Sequence, residues 1–245
     1  MYAIILSVLV TVGAYLLIGF FYLGRSRWPS SYLNKRILFV TAHPDDESMF
    51  FGPTIRYFRT ASQVFLLCLS TGNYEGLGEA RAQELMLSVR KLGIRSDNVK
   101  ISDRTDLPDS PTVKWNSATV AKEVASFVKL CEPDIIITFD SSGVSGHVNH
   151  VATSEGVRHA AGNQMLGENV LLYQLDSVNL FRKYSSFLDC FLSSSSNVYN
   201  IASFRDIVNI QSAMKSHRSQ MTWFRKLYVV FSRYMVVNTL HSVTV

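Results

Sequence analysis

Residues 36–47 read Arg-Ile-Leu-Phe-Val-Thr-Ala-His-Pro-Asp-Asp-Glu, an apolar, partly β-branched run that stops at a proline and three acids. Ile37 to Thr41 has the length and composition of a strand buried on both faces, and Pro44 and the acids end it. The theme recurs along the chain. Further strands are expected at Val64–Leu69, Val99–Ser102, Asp134–Phe139 and Val170–Leu175. Between them, residues 79–92 closed by Gly93, residues 117–131 ended by Pro133, and residues 148–161 carry helical spacing. Ser193–Ser196 reads as a turn before Val198–Ala202. This alternation predicts an α/β fold, a Rossmann-like open and mostly parallel sheet with helices on both faces. Ligands of such sheets gather beyond the carboxyl ends of the strands, so the loops after each strand are where chemistry is expected.

Working outward, residues 1–24 carry no charge, and about 20 apolar residues suffice for a membrane-spanning helix. A transmembrane anchor at 1–24 is expected ahead of the sheet. A cleaved signal peptide fits less well, because its apolar core is usually ~7–15 residues and follows a basic stretch. Arg25, Arg27, Lys35 and Arg36 come next, so residues 25–35 read as a basic juxtamembrane linker, with Trp28 and Tyr32 at the interface and everything after it cytosolic by the positive-inside rule. The remainder, 36–245, is one domain. Its three cysteines are far apart in apolar stretches, which excludes a disulfide framework and a CxxC metal knuckle and fits a reducing compartment.

The loop after the first strand, Ala42-His43-Pro44-Asp45-Asp46-Glu47, concentrates negative charge beside a histidine. Helix capping explains such acids on its own. The loop after the fourth strand, Ser145-Gly146-His147-Val148-Asn149-His150, changes the balance by placing two histidines at the same rim. Imidazole and carboxylate together suit a divalent transition metal, most often zinc, held by three protein ligands with one position left for water. His43, Asp46 and one of the pair His147/His150 supply that count. Asp45 is then a spare carboxylate, placed to act as general base.

These two loops resemble the signatures of the zinc-dependent LmbE-like or PIG-L deacetylases, whose A-H-P-D-D-E stretch stands unchanged at 42–47. The resemblance runs from about residue 36 to 240. The form S-G-H-x-N-H at 145–150 is similar to the eukaryotic branch, which acts on N-acetylglucosaminyl-phosphatidylinositol in glycosylphosphatidylinositol (GPI) anchor synthesis. By resemblance the metal ligands are His43, Asp46 and His150, zinc or another divalent ion the cofactor, Asp45 the base, and His147 the imidazolium that steadies the oxyanion. Arg81, in an R-x-x-E with Glu84, is implied to bind the inositol phosphate, with Glu84 orienting it. The glycine-rich loop 71–78 reads as a connector or an anion cradle, and Asp140 as a residue that orients a ligand histidine. His159 and His217 read as structural or surface residues.

The resemblance thus implies a deacetylase of a lipid-linked N-acetylglucosamine, anchored by a single pass in the endoplasmic reticulum membrane. Two other classes compete. A catalytically silent scaffold in lipid-glycan assembly would have lost ligands or base, which are all present; a nucleotide-sugar transferase would want a G-x-G-x-x-G after the first strand, where His-Pro-Asp-Asp stands. The composition, 47% hydrophobic and 18% charged over 245 residues, excludes a disordered or fibrous chain. The formal net charge of +5 invites a nucleic-acid partner, yet residues 1–206 hold 19 bases and 19 acids. The whole excess lies in 207–245, where Lys215, Arg218, Arg225, Lys226 and Arg233 interleave with aromatic residues. Beside an apolar amino terminus and a phospholipid substrate, that segment is expected to face an anionic leaflet, with no nucleic acid involved.

Overall fold

The expected strands are present to within a residue or so, and three more complete the sheet. The computed structural model describes residues 2–244. Among them β1 (Ser26–Arg27), β2 (Arg36–Thr41), β3 (Gln63–Cys68), β4 (Val99–Ile101), β5 (Ile135–Phe139), β6 (Leu171–Leu175), β7 (Val198–Ile201) and β8 (Val237–Val243) form one sheet in the order β1-β7-β8-β6-β5-β2-β3-β4. β6, β5, β2, β3 and β4 run parallel, while β8, β7 and β1 extend the β6 edge in antiparallel fashion. The helices are α1 (Tyr2–Tyr22), α2 (Asp46–Met49), α3 (Gly52–Phe58), α4 (Gly78–Leu92), α5 (Ser117–Cys131), the short turn α6 (Gly143–Gly146), α7 (Val148–Gly162), α8 (Leu180–Lys183), α9 (Asp189–Ser193), α10 (Phe204–Met214) and α11 (Trp223–Phe231).

The centre of the sheet is apolar because it is covered twice. Ile37, Leu38, Phe39 and Val40 of β2 and Ile135, Ile136 and Ile137 of β5 are buried outright, each contributing roughly 1.5–3 kcal/mol by leaving water. Right-handed crossovers send α3 and α4 to one side and α5 and α7 to the other. α5 and α7 press so closely that a Cβ at Gly156 would overlap Val120. The chain leaves β2 toward β3 and β4, then returns to lay β5 on the other side of β2. The crevice at that reversal lies between the loops after β2 and β5, the two that carry the histidines.

Three expectations for the ends of the chain need correction. Residues 2–22 form one uncharged helix, but among the described residues no helix is long and apolar enough to cross a membrane. The last turns of α1 are held on the domain, Tyr15 packing edge-on against Phe187 and Tyr22 against Phe191, so α1 is not offered whole to lipid. Residues 25–35 are not a linker either: β1 pairs with β7, and Trp28 sits among Phe58 and Tyr173 while its Nε1 donates to Asn200 Oδ1 at 2.9 Å. The 207–245 segment, expected to be a basic membrane-facing end, is divided: β8 and the turn before it are core, while α11 keeps one exposed face. Arg233 is fully buried against Asp189 at 2.8 Å, Arg225 turns toward Asp45, and β8 lies inside the sheet.

Candidate metal and catalytic site

The loop after β2 is organised around a buried carboxylate. Asp46 Oδ2 accepts the backbone N–H groups of Ala42 at 2.9 Å and His43 at 2.8 Å, turning the chain sharply at the strand's end. Asp45 sits at φ +122°, a conformation that costs a residue with a Cβ about 1–3 kcal/mol. Its N–H donates to Glu47 Oε2 at 3.0 Å and its carbonyl accepts the N–H of Met49 at 2.8 Å, which hold it there. Glu47 in turn accepts Ser88 Oγ at 2.5 Å and faces His217 Nε2 at 2.8 Å, both acid and imidazole lying out of water. Burial alone would raise the Glu47 pKa and lower that of His217; the pairing reverses both directions.

The loop after β5 brings the other half. Gly143 stands at φ +59°, and a Cβ there would lie 2.8 Å from that of His150, so the turn closes over the histidine only as glycine. Its carbonyl lies 3.0 Å from His150 Nδ1. A carbonyl can only accept, so Nδ1 carries the proton and Nε2 keeps its lone pair. His43 follows the same logic: Nε2 faces Asp109 Oδ1 and Asn149 Oδ1, each at 3.1 Å, and Asn149 Oδ1 also takes the Ser110 N–H at 3.2 Å. Nδ1 of His43 is therefore the free nitrogen. His147 differs, because its Nδ1 caps α7 by accepting the Asn149 N–H at 3.2 Å, leaving the proton on Nε2.

The two free lone pairs confront one carboxylate. His150 Nε2 is 3.2 Å from Asp46 Oδ1, and His43 Nδ1 is 3.9 Å from Asp46 Oδ2. Such an array repels itself unless a cation, a proton or a metal ion, sits within it. The titration directions carry that tension. Burial alone would raise the Asp46 pKa, but His150 and His43 hold it well below the carboxylate range; burial would lower that of His43, but Asp109, Asp46 and Asp45 raise it. His147 is pushed down to about 4, first by burial and then by His43 and His150. Nitrogen atoms of His43, His147 and His150 lie within 4.8 Å of one another, a group able to hold a metal in which His43 and His150 are buried and His147 half-buried. All of these residues, with Asp45 and Arg225, line one cavity of about 300 Å³.

Other expected residues serve differently. Arg81 lines the cavity; its Nη1 donates to Gly72 O at 2.8 Å and Asp109 at 3.1 Å and its Nη2 to Pro44 O at 2.9 Å, which fastens the loops, while its Nε is buried without a partner. Glu84 does not orient Arg81; it accepts the Ser219 N–H at 2.8 Å and Oγ at 2.6 Å. Asp140 accepts from Ser177 and Ser142 and reaches His150 only through the Gly143 turn. In the 71–78 loop the amides of Gly72 and Gly78 are taken by Ser70 and Asn73 side chains. His159 is exposed, as expected, and His217 is structural. The sequence reading missed Asp109, Arg225 and the Glu47–His217 pair. Asn149 was already visible within the second motif, whereas nothing in the spacing of residues 108–111 marks Asp109.

An α/β sheet with histidines, paired carboxylates and a small cavity at its reversal point is the framework of a hydrolytic enzyme. Residues 38–161 match the family described as PIG-L, GlcNAc-PI de-N-acetylase. The sequence is 44% identical over 210 residues to N-acetylglucosaminyl-phosphatidylinositol de-N-acetylase of Bos taurus, covering 84% of this chain and 83% of that one. It is 34% identical over 244 residues to the probable N-acetylglucosaminyl-phosphatidylinositol de-N-acetylase of Dictyostelium discoideum, covering 86% and 94%. The fold is shared with N,N'-diacetylchitobiose deacetylase from Pyrococcus horikoshii, with a TM-score of 0.61 at 17% identity over 85% of this chain and 84% of that one. The chain belongs to the PIG-L family and is, like its members, a deacetylase.

Proposed function

We propose that the chain hydrolyses the N-acetyl group of N-acetylglucosaminyl-phosphatidylinositol, giving glucosaminyl-phosphatidylinositol and acetate, the second step of GPI-anchor synthesis. The names of the relatives support the substrate. The observation that carries the chemistry is the pair of histidine lone pairs facing Asp46. His43, Asp46 and His150 are the metal ligands in this reading, and His147, whose only free nitrogen bears a proton, is not. Two nitrogens and one carboxylate suit zinc better than magnesium or calcium. A zinc ion there would supply Lewis acidity, polarising the amide carbonyl and acidifying water.

The remaining steps belong to side chains. Asp45 takes the proton of the attacking water as its oxygen bonds to the acetyl carbon. His147, whose Nδ1 accepts the Asn149 N–H, donates its Nε2–H to the carbonyl oxygen as negative charge builds. The proton on Asp45 then passes to the departing nitrogen, the carbon–nitrogen bond breaks, and acetate and a free amine leave. Asp45 pairs with Arg225. The substrate's phosphodiester is the anion that fits this guanidinium, and its arrival would draw Arg225 off the base. Arg81 keeps the Asp45 and Asp109 loops in register. The reading puts the chain at the endoplasmic reticulum membrane, and the phosphatidylinositol in its relatives' names supports a membrane location.

Purified full-length protein should release acetate from the acetylated lipid, lose this on chelation and regain it with zinc. Folded, zinc-loaded protein that released none would leave the silent-scaffold reading in its place.

A further inference from the structure

We infer that the outer face of α11, together with α8 and α9, is a docking surface for a phospholipid bilayer. α11 is two-sided. Tyr228 and Val229 are buried, and Tyr228 donates to Met49 O at 3.0 Å beside the cavity. On the other side Trp223 is 74% exposed, and Phe224, Leu227 and Phe231 are each about half exposed. Positions 223, 224, 227 and 231 share one helical face. The apolar tract continues onto neighbouring elements: Tyr184, just after α8, packs on Tyr228; Phe181 of α8 is 90% exposed; Phe191 of α9 is exposed and also meets Tyr22 of α1. Together these exceed the few scattered apolar side chains a soluble surface ordinarily shows.

Charge identifies the occupant. Residues 177–245 contain eight bases and two acids, and both acids, Asp189 and Asp206, are tied up by Arg182 and Arg56. Lys226 and Arg218 remain in solvent beside the apolar face. An apolar stripe with tryptophan and cations at its margin, and no free acid, complements the boundary between acyl chains and anionic headgroups. Arg225 extends from the same helix into the cavity, so docking on α11 would set the mouth of the site at the lipid surface. This deepens the proposed function, whose substrate is carried by lipid.

The test reads Trp223 directly, since Trp115 is buried and Trp28 is half-buried and fixed against Phe58 and Tyr173. Full-length protein, reconstituted with vesicles of phosphatidylcholine and phosphatidylserine, should show a blue-shifted emission quenched by lipids brominated in the acyl chain. Trp223→Phe should abolish most of that quenching. A Leu227→Ser/Phe231→Ser variant should turn over vesicle-borne substrate at least tenfold more slowly, yet match wild type on a short-chain, water-soluble analogue. Vesicle-bound protein with unquenched Trp223 would overturn the inference by showing that α1 alone holds the chain. Trp223 shielded without lipid, in a chain that sediments as a dimer, would overturn it in favour of a second copy. Quenching without acetate release from either substrate would instead sink the proposed function and leave the docking surface standing.

Discussion

Of two cavities at opposite ends of the parallel strands, the smaller is the one with chemistry. The site cavity, about 300 Å³, lies at the carboxyl ends of β2 and β5. The other, about 680 Å³, lies at the amino ends of β2, β3 and β4 and is lined by Lys35, Arg36, Arg59 and Arg95. Volume and charge favour the second. What it lacks is convergence: Lys35 pairs with Asp134 at 3.0 Å, Arg95 with Asp97 at 3.5 Å in solvent, and no acid and imidazole meet there. At the carboxyl ends the strands release the chain into turns whose side chains aim at one point, and each is held by a second residue. A site is made by directed, supported groups rather than by space.

Substitutions at the two ends should separate accordingly. Asp45→Asn keeps the ligands and removes the base, so acetate release should fall by ~10²–10⁴ while bound zinc stays near one per chain. His147→Ala should cost about 10²–10³ in turnover, again with metal retained; loss of the metal in this variant would make His147 a ligand and displace Asp46. Asp109→Asn removes the carboxylate behind His43 and should lower zinc affinity or turnover by ~10–100-fold, read by chelator competition.

His217→Gln tests the deeper support. The Glu47 pKa is lowered, so that acid stabilises the fold above its unfolded value of about 4.5 and less as pH falls through its folded value. The His217 pKa is raised, so the imidazole stabilises below about 6.5 and progressively less as pH climbs through its folded value. The thermal destabilisation of His217→Gln should therefore be largest between those two values and shrink at alkaline pH. At the far cavity, Arg59→Ala with Arg95→Ala should leave turnover within about twofold, as surface changes remote from a site do. A tenfold loss there would break the contrast between the two ends.

The parallel sheet and the histidine loops were legible in the sequence because their signals are local: short continuous apolar runs, helical spacing between them, and two motifs at strand ends. β8 and α11 were hidden by composition. Their residues were read together as a basic, aromatic tail, although Arg233 is neutralised in the core and Arg225 in the cavity. Charge read along a chain cannot tell a paired arginine from a free one. Residues 25–35 failed for a related reason, since Trp28 suits either a membrane interface or an aromatic cluster, and only the pairing of β1 with β7 decides. Asp109 acts through distance in space, 66 residues beyond its partner His43, and no local pattern announces it.

β1 has a consequence beyond that correction. It is short, yet it lies along the outer edge of β7 and occupies hydrogen-bonding groups there, with Ile201 N–H donating to Arg25 O at 2.8 Å. A chain shortened to begin at residue 36 would bare that edge as a template for another strand. Such a protein would keep every residue of the site and still be prone to joining its neighbours edge to edge, so the boundary for a well-behaved fragment lies before Arg25 rather than after Lys35.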